Sequence, residues 1–263
     1  MKKTTTNTRK KPKKSRKIAD PYAYADRQLK TLQRASGQAF TNALNRLSID
    51  ELNIIPARKE INRLYEELEA LNEAVYSRII AEAYFQAHGL ARVYGYQDEQ
   101  ADDRLPRKKR KELALLILSA LLSAGNPVTE YRYTSEVKRK SQRLLEAVIS
   151  RPDSLSIKAS FEKAMKSWWL QTAQYADLSV DAAWTQAFKD SGVSEVEWIT
   201  EQDARVCRTC RERDGQRYRA DAVPPKPHYR CRCHVEPIVR EDTKTQNVRE
   251  DDKTQNENRS EKT

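Results

Sequence analysis

The chain has 263 residues, of which 38% are hydrophobic and only six are glycine, and its formal net charge is +11. This composition can furnish a sizeable core, and scarce glycine with abundant Ala, Leu, Glu, Lys, Arg and Gln predicts a mainly α fold. We expect neither a secretory signal nor a membrane span, because no apolar stretch follows the charged N-terminus and the longest apolar run, 113–125, is shorter than the roughly 18 residues a span requires.

The positive charge is concentrated at the N-terminus. Residues 1–17 carry nine cations and no acid, residues 240–263 carry a net charge of −1, and residues 18–239 carry the remaining +3. We expect 1–17 to be a disordered arm whose cations contact the phosphates of double-stranded DNA without reading its sequence. A solubility role and a signal for a protein partner are the alternatives. The candidate DNA-binding residues are Lys2, Lys3, Arg9, Lys10, Lys11, Lys13, Lys14, Arg16 and Lys17.

The periodicity of residues 22–190 is helical. Apolar residues recur at steps of three and four from Ile61 to Ile79, which predicts one long amphipathic helix that pairs with a helix over 22–47. Pro56 suits the first turn of the long helix and Gly89 suits its end. We expect the apolar stripe to pack within the chain, with a coiled-coil seam as the alternative.

Further helices are predicted over 107–124, 134–150 and 155–190. The last of these contains three tryptophans, which we expect to lie in the core rather than to form a ligand platform. They are Trp168, Trp169 and Trp184.

The pattern changes to a period of two at 193–200, which predicts a strand leading into a small β-containing module. After this module the chain is polar and repeats itself, because "REDTKTQN" at 240–247 returns as "REDDKTQN" at 249–256. We therefore predict a disordered tail over 240–263, a helical body over 18–192 and a Cys/His zinc-binding module over 193–239.

All four cysteines and two of the three histidines lie between positions 207 and 234. Two thiolates spaced as Cys-x2-Cys can reach one ion, and the Cys-x-Cys pair with the histidine three residues before it supplies a second set. Asp214-Gly215 between the two sets predicts a β-hairpin. In a chain without an export signal such clustering favours a metal over disulfides, so we predict a structural Zn²⁺.

The candidate ligands outnumber the four that a structural zinc needs. They are Cys207, Cys210, His228, Cys231 and Cys233, with His234 as a sixth. The first two are the firmest pair, His228 with Cys231 is favoured for the other positions, and Cys233 is the chief competitor. The alternatives are cysteines that are merely buried or disulfide-bonded, and a catalytic zinc with an open position and Glu236 or Asp214 as general base.

This segment resembles the C-terminal motif of the phage minor head proteins, the Mu F-like or head-morphogenesis family. The resemblance is carried by "WITEQDARVCRTCRERDGQRY", by "PPKPHYRCRC" and by the proline at 237. The chain differs from the family pattern in having Tyr229 where proline usually follows the histidine, and in an extra Pro227. The matching residues are Trp198, Thr200, Asp203, Arg205, Cys207, Cys210, Asp214, Gly215, Pro224, Pro225, His228, Cys231, Arg232, Cys233 and Pro237.

The resemblance implies a non-enzymatic minor capsid protein of a tailed bacteriophage that acts in head morphogenesis or in the handling of viral DNA at packaging or ejection. It implies the portal protein as partner, with the scaffold and the major capsid protein as further candidates. It places the protein in the virion, inside the capsid near the portal, and in the host cytoplasm during assembly. The structural residues of the motif would be Trp198, Asp203, Asp214, Gly215, Pro225 and Arg232.

Two other functions are compatible with the cysteine spacing. A nuclease of the His-Asn-His type often carries Cys-x2-Cys pairs, but it needs a histidine beside an acid inside the hairpin, and residues 211–227 contain no histidine. A cellular nucleic-acid-binding zinc protein could stack bases on Tyr218 and Tyr229. Such a protein would bind nucleic acid through the zinc module, whereas we expect residues 1–17 to provide the nucleic-acid affinity of this chain.

Overall fold

The computed structural model describes residues 20–47, 53–96, 107–127, 129–201 and 206–239. The predicted basic arm and polar tail lie outside the described residues, as do Asp203 and Arg205 of the motif.

Five helices form the body, and the mainly helical fold is confirmed. The two longest helices pack against each other, and each is also contacted by the other three. Among the described residues, no helix is long and apolar enough to cross a membrane. The five helices are α1 (Ala23–Arg46), α2 (Ile54–Val93), α3 (Arg107–Ser123), α4 (Tyr133–Ser150) and α5 (Ser154–Asp190).

The predicted apolar stripe forms the buried face of α2. Asn53 caps the helix by accepting a hydrogen bond from the backbone N–H of Ile55. The residues at steps of three and four are buried inside the chain, as the packing prediction requires. The predicted end at Gly89 is wrong, because the helix tolerates this glycine and continues to Val93. Gly95, with φ of 88°, supplies the left-handed residue that follows the helix.

The tryptophans of α5 lie in the core, as predicted. Trp168 is completely buried and meets the ring of Tyr65 from α2 edge-on, with 5.5 Å between the centroids. Trp169 is half-buried and donates from Nε1 to the Ser36 hydroxyl at 3.0 Å. Each ring therefore joins α5 to a helix far away in sequence.

The C-terminal module contains a three-stranded antiparallel sheet and one short helix. The strands are β1 (Glu195–Ile199), β2 (Arg217–Arg219) and β3 (His234–Pro237), in the order β2-β1-β3, and α6 (Arg208–Arg213) lies between β1 and β2. The strand predicted over 193–200 is confirmed.

The predicted β-hairpin at Asp214-Gly215 is wrong. The turn exists, with φ of 73° at Gly215, but the residues before it form α6, so the turn joins a helix to a strand. The partner of β2 is β1, paired from Glu195 opposite Arg219 to Glu197 opposite Arg217.

The module packs against the body. Val196 of β1 is completely buried and belongs with Ala220 to the same apolar core as the helices. A second, small cluster of buried residues contains Trp198, Cys210, Cys231 and Cys233. The cysteines therefore lie against a sheet whose strand β1 packs into the core of the helical body.

Candidate metal centre

The fold brings all four cysteines and His228 together. The Sγ atoms of Cys210 and Cys231 are 3.4 Å apart. Two groups of ligand atoms have all members within 4.8 Å of one another, and Cys210 belongs to both. One group is Cys207, Cys210 and His228; the other is Cys210, Cys231 and Cys233.

Local geometry explains how each pair of cysteines converges. Cys207 is the N-cap of α6, and its Sγ accepts a hydrogen bond from the backbone N–H of Cys210 at 3.4 Å. Residues three apart at the start of a helix share one face, so both thiols point the same way. Cys231 and Cys233 lie directly before β3, where alternate residues share a face.

The site is buried on one side and open on the other. Cys210, Cys231 and Cys233 are buried, while Cys207 and His228 are partly exposed. All five line a cavity of about 520 Å³ whose wall also includes Asp26 and Glu201. The five donors allow four cysteines, or three cysteines and His228, to hold one ion.

His234 is not part of either group of ligand atoms. Its Nε2 is 3.2 Å from Glu236 Oε1, and its ring meets that of Trp184 with 5.8 Å between the centroids. These contacts hold His234 outside the cluster. The choice between His228, Cys231 and Cys233 for the last two positions stays a prediction.

The four thiols are free, and they perturb one another. Hydrogen bonding from Cys233 lowers the pKa of Cys231 to about 5, and the nearby Lys226 ammonium acts in the same direction. Burial raises the pKa of Cys210 to about 12, and hydrogen bonding to Cys231 raises that of Cys233. In this cluster a thiolate is stabilised by hydrogen bonds from neighbouring thiols. A soft cation can take the place of the thiol protons, which are released when it binds, so the cluster is consistent with a metal site.

Trp198 covers the cysteine cluster from the sheet. The ring is 1% exposed, and the Arg213 guanidinium of α6 lies 5.1 Å from its centroid. The same arginine donates from Nη1 to the carbonyl of Pro225 at 2.8 Å. Trp198 and Pro225 of the motif are thus joined through α6.

Asp214 and Gly215 fasten the end of α6 to β1. Asp214 Oδ1 accepts from the backbone N–H of Thr200 at 3.0 Å and from its hydroxyl at 2.9 Å. The backbone N–H of Gly215 donates to the carbonyl of Trp198 at 2.9 Å. These contacts hold Cys210 next to Trp198 of β1, where it also meets Cys231 and Cys233.

Three arginines on the module surface lie beside acids. Arg219 and Arg217 of β2 lie opposite Glu195 and Glu197 of β1, Arg208 pairs with Glu212, and Arg219 also pairs with Asp221. Arg211 and Arg213 of α6 instead donate to the carbonyls of Val206 and Pro225.

Sequence reasoning missed the groups of the helical body that contact the segment with the second cysteine pair. They are Tyr22 and Asp26 at the start of the chain's first helix and Asp177 and Asp181 of α5. The one usable signal was the pair of acids four residues apart in an otherwise apolar stretch of α5, since an acid on a buried face needs a partner.

Comparisons of the chain with protein-family models, with curated proteins and with solved structures found no match. The fold and the site define a helical protein that carries a C-terminal, thiol-rich candidate metal centre.

Proposed function

We propose that the chain is a non-enzymatic minor head protein of a tailed bacteriophage with a structural zinc module. The observation that carries the proposal is that the described motif residues form one packed unit, although they are spread over 198–237. Trp198 covers the cysteines, Asp214 and Gly215 fasten α6 to β1, and the ligand pairs meet behind the sheet. This packing supports treating residues 198–237 as one motif.

Zinc is the metal that suits this site. Thiolates with one imidazole are the donors of structural zinc sites, and five donors leave no open position for a catalytic water. The module has little apolar material of its own, because its separate cluster holds one tryptophan and three cysteines. The metal would therefore supply much of the module's folding free energy.

The DNA contact is assigned to residues 1–17. The arm would bind through its nine cations, whose affinity for phosphates falls steeply with salt. The acids beside Arg208, Arg217 and Arg219 support this assignment over one to the module surface. Weak, salt-sensitive binding suits a protein that must let DNA move during packaging or ejection.

The portal protein is the proposed partner of the helical body, inside the capsid near the portal. The body exposes large apolar side chains that a protein partner could cover, among them Leu116 of α3 and Leu155 and Leu170 of α5. The scaffold and the major capsid protein are further candidates.

Co-expression with the portal protein of the same phage tests the proposal. We expect the two proteins to copurify and the chain to be present in purified phage heads. Elemental analysis of the same sample should give one zinc per chain, and incubation with duplex DNA should give no cleavage. Zinc-dependent cleavage would favour a nuclease, and absence of the chain from heads would refute the assignment.

A further inference from the structure

The segment that supplies the second cysteine pair has two chemically different faces. Residues 230–233 read Arg-Cys-Arg-Cys. The thiols of Cys231 and Cys233 point to the candidate metal centre, while the guanidinium groups of Arg230 and Arg232 point to the helical body. The alternation resembles that of a strand between two layers, with the ion on one side and acids on the other.

Arg230 is held in an unusual backbone conformation. Its φ is 56°, which residues with a Cβ rarely adopt. Three groups of the body hold it there: Gln174 Oε1 accepts from its backbone N–H at 3.2 Å, Asp177 Oδ1 from Nη1 at 2.9 Å, and Asp26 Oδ1 from Nη2 at 3.1 Å. The bend before Cys231 therefore depends on α1 and α5.

Arg232 is bound by the first helix. Its Nη2 donates to both carboxylate oxygens of Asp26, at 2.6 and 2.7 Å, and its guanidinium lies 4.9 Å from the centroid of the Tyr22 ring. This residue stands between the two cysteines, so the contact fixes the spacing of their backbone against α1.

Lys226 holds the backbone of both cysteines directly. Its ammonium donates to the carbonyl of Cys231 at 3.1 Å and to that of Cys233. It also lies 3.1 Å from Asp181 Oδ1 and donates to the Tyr22 hydroxyl, which in turn donates to Asp181 at 2.7 Å. An ammonium only 11% exposed needs such partners, so its position is determined by the body.

We propose that Tyr22, Asp26 and Asp181 of the helical body, acting through Arg230, Arg232 and Lys226, are positioning residues of the metal centre. The inference rests on the proposed zinc site and extends it, because the described residues of the body belong to neither group of ligand atoms and yet would set the metal affinity. Residues behind the ligands orient metal sites generally, and losing one costs about 10–100-fold in affinity. By linkage, bound zinc should stabilise the docking of residues 230–233 onto α1 and α5 by the same factor.

The test is zinc affinity measured by competition with a chromophoric chelator on the full chain. We expect Asp26→Asn, which removes the shared partner of both arginines but keeps the side-chain shape, to weaken zinc binding about 10–100-fold. Lys226→Met should have a similar effect, and Asp26→Glu should recover part of the affinity. Arg219→Met is the matched control, because its ion pair with Asp221 is exposed on the same module.

A spectroscopic readout separates positioning from loss of a ligand. The cobalt-substituted Asp26→Asn protein should keep the wild-type absorption bands, since the donor set is unchanged, and the metal-free variant should keep the wild-type helical signal. Wild-type zinc affinity in Asp26→Asn and Lys226→Met would overturn the inference and leave the zinc site standing. A wild-type chain that binds no zinc would overturn the site and the inference together.

Discussion

In the helical body the largest fully buried side chains are aromatic and aliphatic, whereas the separate cluster of the module consists of one tryptophan and three cysteines. The body can therefore be stabilised by apolar burial alone. The module depends on its ligands and on the ion pairs that join Arg230, Arg232 and Lys226 to α1 and α5. Two parts of one chain with a shared core can thus respond to different perturbations, and the following predictions test how far that separation goes.

The largest effect is expected from Cys210→Ser. Cys210 belongs to both groups of ligand atoms and is completely buried, so its replacement should reduce the zinc content from one per chain to near zero. We expect local unfolding of the module and a largely retained far-UV helical signal, because the body has its own core. Full zinc content in this variant would remove the basis of the site.

Leu64→Ala should have the reverse effect: it should destabilise the helical body and leave the zinc content of the module unchanged. Leu64 of α2 is completely buried, and such a truncation costs about 2–5 kcal/mol of unfolding free energy. Thermal or denaturant unfolding should report this loss while zinc remains at one per chain. Leu116→Ala, at a side chain of α3 that is 69% exposed, is the control and should change stability by less than about 0.5 kcal/mol.

In the metal-free protein, the free energy of unfolding should depend on pH through Asp177, which lies where the helical body contacts the module. Burial raises the pKa of its carboxyl to about 7, with Asp181 acting in the same direction and Arg230, Arg232 and Lys226 opposing it. Because the folded pKa lies above the unfolded value of about 3.9, the stabilising contribution is fully present below about pH 4 and is lost as the pH rises through 7.

Denaturant unfolding between pH 4 and 8 measures this effect. Each unit of pKa difference corresponds to about 1.4 kcal/mol, so the loss should not exceed about 4 kcal/mol. Asp177→Asn should remove this loss and leave the opposing rise in stability that the lowered pKa of the Cys231 thiol produces, and an equally steep fall in that variant would assign the titration to another group.

Deletion of residues 1–17 should have the smallest effect on the folded part. We expect affinity for duplex DNA at low salt to fall at least about tenfold and the salt dependence of binding to become shallower, because each cation contributes roughly 0.9 to the slope. The helical signal and the zinc content should not change. Unchanged DNA binding would move the nucleic-acid contact to the folded part of the chain.

The sequence predicted the helices well because their signal is local. The apolar stripe of α2 and the spacing of the cysteines are properties of short segments, and both appear in the structure as expected. The error at Gly89 arose because a glycine can end a helix or be tolerated inside it, and packing along the helix decides between these outcomes. The error at Asp214-Gly215 arose because a turn motif does not reveal whether a helix or a strand precedes it.

The anchoring of the metal centre could not be predicted in the same way. Asp26 and Arg232 are far apart in sequence, and no periodic pattern links an acid in an amphipathic helix to an arginine between two cysteines. The position of His234, beside Glu236 and the ring of Trp184, likewise could not be predicted from spacing, because Trp184 lies on another element. Ligand types and spacing are thus readable from a sequence, whereas the groups that orient the ligands depend on tertiary contacts.

The contact between Asp26 and Arg232 also sets an order of events during synthesis. The ribosome makes α1 before Arg232, which binds Asp26 of that helix and follows it by about 200 residues. At 5–20 residues per second this is a delay of roughly 10–40 s. Until residues 226–233 are synthesised, Tyr22 lacks its contact with Lys226 and Asp26 lacks its contact with Arg232. Cys231 and Cys233 are also missing until then. A polypeptide interrupted before residue 226 would lack Lys226, Arg230, Arg232 and the second cysteine pair. If the proposed zinc site holds, metal binding is therefore a late step of folding.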